Sequence, residues 1–253
     1  MNVLKIRNVA IGEGAPKVII PLVGRTEEQL LQEAGYIRSL QPDAVEWRAD
    51  LYEEVENLQA VEAMLARLRE VFKEELLLFT FRSHKEGGDK VISDAFYVEL
   101  NQMAIRTKWI DLVDVELFHG AENVKKLLAA AKENGVFVIM SNHDFAKTPP
   151  KEEIIERLCR MQAYGADILK IAVMPKSAAD VITLLDATNT MSTMHADRPI
   201  ITMSMGGQGV ISRLSGELFG SAMTFGAGKE ESAPGQVPVA ELRSVLEVLH
   251  KQL

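Results

Sequence analysis

Lys170 stands in ILKIAVM with six apolar neighbours. An ammonium in such surroundings loses hydration, which lowers its pKa and frees the amine as a nucleophile for a carbonyl carbon. The alternative is a buried lysine paired with Glu46 or Glu116, which raises the pKa instead. Other charges recur in similar segments: Glu46 and Arg48 in AVEWRA, Arg82 closing LLLFTFR, and Asp114 with Glu116 in LVDVEL. A lone strand charge is commonly a partnered structural ion. Charges of both signs converging from several strands, on the parity that should fill a core, instead mark a functional site. His143, in MSNHDF, follows another apolar run. It reads either as a satisfied structural imidazole or as an acid/base group beside the lysine. Glu86, in FRSHKEGG, could orient that ring and raise its basicity.

Two glycine-rich stretches, MGGQG at 205–209 and FGAGKE at 225–230, suit phosphate binding or plain turns. Arg213, Ser232 and Gln236 lie near them and offer donors to a phosphate or a carboxylate. His84, His119, His195 and His250 show no metal-ligand spacing, and Cys159 is the sole cysteine. No metal site and no internal disulfide is therefore expected.

These residues need a frame that aims them at one point. Short apolar runs recur at 17–23, 44–49, 76–82, 112–117, 136–141, 168–174, 199–205 and 221–226. Each has the length and composition of a strand, and their spacing of about 29 residues fits one βα unit. Helical stripes lie between them: Val124, Leu127, Leu128 and Ala131, and at the end Val239, Leu242, Leu246, Leu249 and Leu253. Thr26 with Gln29 and Ser177 with Asp180 have capping-box spacing, and Thr148 before Pro149 reads as a third cap. Eight alternating units predict an α/β fold, a (β/α)8 TIM barrel in a single domain over residues 1–253. An open doubly wound sheet is the competing architecture, but the dinucleotide fingerprint is missing after the first strand. Residues 1–15 read as an extended pair ahead of the barrel, plugging its bottom. Strand alternation then sends Val45 and Trp47 towards the helices, and Glu46, Arg48, Thr80, Arg82, Asp114, Glu116 and Lys170 into the lumen.

Composition narrows the class. With 28 Lys and Arg against 36 Asp and Glu, the net charge of −8 argues against nucleic acid as a partner. No apolar run approaches about 18 residues, so no membrane span is expected. The N-terminal stretch lacks a signal-peptide core, and a cytoplasmic enzyme or ligand binder is the expectation.

EWRAD, FTFRS-x-KEGG, IMSNHDF-x-KTP, DILKIAVMP, ITMSMG, GVISRL-x-GE-x-FGS and SAPGQ occur in the order and spacing of the type I 3-dehydroquinate dehydratases. The sequence resembles that family over almost its whole length. The resemblance implies a TIM barrel, usually a homodimer, that removes water from 3-dehydroquinate in the shikimate pathway through an imine, without metal or organic cofactor. It implies Lys170 as the imine lysine, His143 as the general acid/base and Glu86 as its support. Arg213, Ser232 and Gln236 would hold the substrate carboxylate. Glu46, Arg48 and Arg82 would bind the ring hydroxyls, and the EWR motif places Trp47 with them. One departure is Pro21, where some relatives have a serine. An imine-forming aldolase and a noncatalytic sugar-acid binder share parts of this pattern, but KEGG, SNHDF and SAPGQ discriminate against both.

Overall fold

The computed structural model describes residues 2–229 and 232–253, so Glu230, which ends the second glycine-rich stretch, lies outside them. An antiparallel pair comes first, β1 (Leu4–Ile6) and β2 (Val9–Ile11). Eight parallel strands follow at the predicted places: β3 (Lys17–Leu22), β4 (Ala44–Arg48), β5 (Leu76–Thr80), β6 (Leu112–Glu116), β7 (Phe137–Asp144), β8 (Ile168–Val173), β9 (Ile200–Ser204) and β10 (Met223–Ala227). They pair in chain order from β3 to β9, and β10 pairs back onto β3. A bridge between Ile200 and Ser221 joins the ends and curls the sheet into a barrel. The Ala222 N–H donates to the Ile200 carbonyl at 2.8 Å, and the Thr202 N–H to Ser221 Oγ at 3.0 Å across that seam. A two-residue strand, β11 (Val237–Pro238), pairs with the C-terminal end of β10.

Helices α1 (Glu27–Ser39), α2 (Leu58–Val71), α3 (Asp94–Thr107), α4 (Ala121–Asn134), α5 (Lys151–Tyr164) and α6 (Ala178–Thr190) cover the strands. The short α7 (Val210–Leu214) and α8 (Gly216–Phe219) and the longer α9 (Val239–His250) complete the shell. Among the described residues no helix is long and apolar enough to cross a membrane. Thr26 and Ser177 cap α1 and α6 as expected, each accepting the N–H three residues on. Thr148 does not cap α5. Pro150 holds that position, and the Thr148 hydroxyl donates to the Met174 carbonyl at 3.1 Å. A residue before proline is driven out of helical backbone, so Pro149 cannot begin the helix. The C-terminal stripe also stops early: Leu249 is half-buried, and Leu253 lies beyond α9 and is exposed.

Alternation along the strands divides the apolar side chains into two cores. Val45, Trp47, Phe79, Val113, Val115, Leu169 and Ile171 join the helices in the outer one. Ala44, Leu76, Leu112, Ile139 and Ile168, from the N-terminal halves of their strands, form the inner one. Ile6, Val9 and Ile11 pack into this inner core, so the N-terminal pair closes the bottom of the barrel. The inward positions nearer the strands' C-terminal ends are polar, which is where barrels carry their sites.

Candidate active site

A cavity opens at that end, with Glu46, Arg48, Arg82, Glu86, His143 and Lys170 on its wall. Lys170 is the only lysine that lines it among the described residues. Its Nζ lies 3.7 Å from Glu46 Oε1 and 3.8 Å from Asp114 Oδ2, and 4.3 Å from the centre of the Phe225 ring. The pairing with Glu46 is thus present, with Asp114 rather than Glu116 as the second carboxylate, but it does not raise the pKa. Burial lowers its pKa most strongly, Glu46 and Asp114 oppose that, and Arg82 and Arg48 add to it; the net direction is down. A larger share of the amine is neutral, and so nucleophilic, than for an exposed lysine.

His143 lies inside β7, paired with Ala172, rather than after the strand, because the β7–β8 ladder continues to Asp144 and Val173. Its ring Nδ1 is 2.9 Å from Glu86 Oε2, which also accepts the His143 N–H at 2.9 Å. Asn142 Nδ2 donates to the other carboxylate oxygen at 3.1 Å. With Nδ1 engaged, Nε2 is the nitrogen left for a substrate. Burial, then the charges of Arg82, Lys170 and Arg48, push His143 well below the usual imidazole range. Burial, then Glu116, pushes Glu86 up to about 8. The site thus disfavours charge on both partners.

The turn that carries Glu86 is built for close approach. Ser83 O accepts the N–H groups of Glu86 and Gly88 at 3.0 and 2.8 Å. A Cβ on Gly88 would stand 1.9 Å from the Arg82 carbonyl oxygen, and Gly87 has φ +88°. Only glycine serves at these two positions of KEGG. Arg82, just past β5, is buried and donates to Glu116 (2.9 Å), Ser141 Oγ (2.9 Å) and Asp114 (2.8 Å). Arg48 makes two 2.8 Å bonds to the Asp50 carboxylate and reaches the Ser232 carbonyl at 3.3 Å. Ser232 and Gln236 bond to each other, Ser232 N–H to Gln236 Oε1 at 2.9 Å and Gln236 Nε2 to Ser232 Oγ at 3.0 Å.

The chain is similar to known proteins in both sequence and fold. A family model described as type I 3-dehydroquinase matches residues 18–253. The chain belongs to the type I 3-dehydroquinase family. It is 62% identical over 253 residues to a 3-dehydroquinate dehydratase of Bacillus velezensis, covering 100% of both chains. A Bacillus subtilis protein of the same name is 59% identical, covering 99% of this chain and 98% of its own. The crystal structure of the type I 3-dehydroquinate dehydratase of Clostridium difficile with covalently modified comenic acid superposes with a TM-score of 0.97 at 52% identity, covering 100% of this chain and 99% of that one.

Two of the residues assigned to the site from the sequence do not line the cavity. Trp47, grouped above with the substrate-binding residues, is fully buried on the other side of β4, edge-on to Tyr52 and Phe79. The period of two in a strand turns it away from the lumen that its neighbours Glu46 and Arg48 face. Its assignment to the substrate is corrected accordingly. Arg213 is buried one contact behind the wall, with Nη1 3.6 Å from Met203 Sδ and Nη2 3.2 Å from the Pro234 carbonyl. Conversely, sequence reasoning does not single out Asp50, Asn142, Phe145, Met203, Met205 or Phe225. The inward parity of β9 and β10 would have found Met203 and Phe225. Asp50 and Asn142 act through turn and side-chain geometry that carries no period.

Burial alone would push Glu116 up, but His119, Arg82 and Ser83 hold it down at about 2. Its folded pKa thus lies below the ordinary 4.5. The stabilisation is present above about pH 4.5 and is lost as pH falls towards 2. Glu116→Gln is expected to cost on the order of 3 kcal/mol at pH 7. That penalty should shrink between pH 5 and 3 in denaturant unfolding, and a pH-independent penalty would contradict the ion-pair origin.

Proposed function

We propose that the chain removes water from 3-dehydroquinate through an imine on Lys170, giving 3-dehydroshikimate. The observation that carries this reading is the meeting of Lys170 with the His143–Glu86 pair on one cavity wall. The neutral Nζ attacks the C3 ketone and displaces its oxygen as water. The protonated imine then acts as an electron sink for the C2–H bond. His143 takes the C2 proton, and the electrons form an enamine. The C1 hydroxyl leaves as water with a proton returned by His143. Water then attacks the conjugated imine, freeing the enone product and the lysine. One positioned acid/base group contributes about 10²–10⁴-fold to such proton transfers. No metal or organic cofactor enters the scheme, and the covalently modified ligand of the Clostridium difficile relative supports covalent chemistry.

In this reading Glu46, Arg48 and Arg82 bind the ring hydroxyls, and Ser232 and Gln236 meet the C1 carboxylate with Arg213 behind Met203. Arg213→Ala is expected to raise KM about tenfold or more with a smaller change in kcat. It removes a buried positive charge that acts on the carboxylate from behind Met203, equally in ground and transition states. An unchanged KM would exclude Arg213 from carboxylate binding. The proposal extends to a single catalytic domain, a cytoplasmic location and a homodimer, the last tested by sedimentation at micromolar concentration. The reaction itself is tested by ultraviolet absorbance on adding 3-dehydroquinate, since elimination creates a conjugated enone carboxylate. A flat trace with folded protein would instead support a sugar-acid binder.

A further inference from the structure

Asp114 has no solvent exposure and does not line the cavity, so a substrate cannot reach its carboxylate. It still stands 3.8 Å from the reacting nitrogen through Oδ2. The same oxygen accepts from Arg82 Nη2 at 2.8 Å, and Oδ1 accepts from Ser141 Oγ at 2.7 Å. Ser141 is paired in register with Lys170, so the hydroxyl that fixes the carboxylate belongs to the strand beside the lysine. Glu46, the other anion near Nζ, is held by Thr80 Oγ1 at 3.0 Å but faces the cavity, where substrate hydroxyls compete for it.

We propose that Asp114 is the permanent counter-ion of the protonated imine, keeping the positive charge on Lys170 Nζ while the C2–H and C1–O bonds break. This rests on the imine reading of Lys170. The attack needs a neutral amine, whereas the later steps need a charged nitrogen. A carboxylate that substrate cannot neutralise favours the charged form throughout the elimination. Facing Nζ are Glu46 and Arg48 from β4, Arg82 after β5, Asp114 from β6, His143 from β7 and Phe225 from β10. Of the two anions among them, Asp114 is the one out of reach of the ligand.

The charge assignment predicts a split between two steps. In Asp114→Asn the free amine is neutral at lower pH, so adduct formation is not slowed. The imine, in turn, loses its proton at lower pH and elimination slows. Cyanoborohydride reduces the protonated imine selectively and reports its population between pH 6 and 9, with mass spectrometry of the intact protein. The midpoint for trapping should fall by about one to three pH units in Asp114→Asn, as expected for loss of an opposite charge within 4–6 Å. Turnover at pH 8 should fall about tenfold or more. Ser141→Ala removes a donor from Asp114 while keeping its charge, and its midpoint should move upward. If Asp114→Asn does not fold, the direction of the Ser141→Ala shift decides alone. An unchanged midpoint in Asp114→Asn, or an unchanged or lowered one in Ser141→Ala, would overturn the proposal. Absence of trapping in the unsubstituted enzyme would instead overturn the imine reading beneath it.

Discussion

Lys170→Ala is expected to abolish turnover of 3-dehydroquinate and to abolish the covalent adduct with it. The loss should be on the order of 10⁵-fold or more, the scale on which covalent nucleophiles are missed. The reason is local: among the described residues no second lysine lines the cavity to supply an amine. The fold should survive. Lys170 is one of two cations facing Asp114, and the Arg82 guanidinium keeps its 2.8 Å bond to that carboxylate when the ammonium is removed. Glu46 keeps the Thr80 hydroxyl. Circular dichroism and a denaturation midpoint close to that of the unsubstituted protein would confirm a folded, inactive enzyme. Residual turnover within a hundredfold of normal would mean that general acid/base chemistry, not imine formation, carries the reaction.

His143→Ala is expected to separate attachment from elimination. The amine remains, so substrate still forms a covalent adduct, though slowly. Proton abstraction loses its base and imine hydrolysis its proton donor, so turnover should fall about 10²–10⁴-fold while adduct accumulates. The backbone N–H at position 143 continues to donate to Glu86, so the KEGG turn keeps one of its two ties to this residue. Intact-protein mass spectrometry reads the outcome directly. An imine adds the substrate mass less one water, and elimination before hydrolysis removes a second. If His143 merely packs the rim, the variant loses stability yet turns over normally in its folded fraction. Near-normal turnover without adduct would remove the histidine from the mechanism.

The inward charges were legible because a strand imposes a rigid period of two. Glu46, Asp114, Glu116 and Lys170 could be placed in the lumen from their apolar neighbours alone, and all four are buried there. The same period points Trp47 outward, although it stands between two inward residues of the EWR motif. What lay outside the sequence patterns is the work of turns. The Asp50 grip on Arg48 and the carbonyl of Arg82 crowding Gly88 depend on backbone paths that no repeat encodes. Two helix boundaries failed for local reasons. Successive prolines displaced the start of α5, and the apolar stripe of α9 outlasted its hydrogen bonds, so Leu253 ends exposed. SNHD carries no strand signature, so the sequence places His143 after the apolar run, yet the ladder with β8 holds it in extended backbone.

The most direct test of the central claim is borohydride reduction of the protein in the presence of 3-dehydroquinate, followed by proteolysis and peptide mass analysis. The account predicts a single stable adduct on the peptide containing Lys170, formed only when substrate is present, with activity lost in proportion to labelling. Turnover that continues under reduction with no adduct, or an adduct carried by a different lysine, would contradict it.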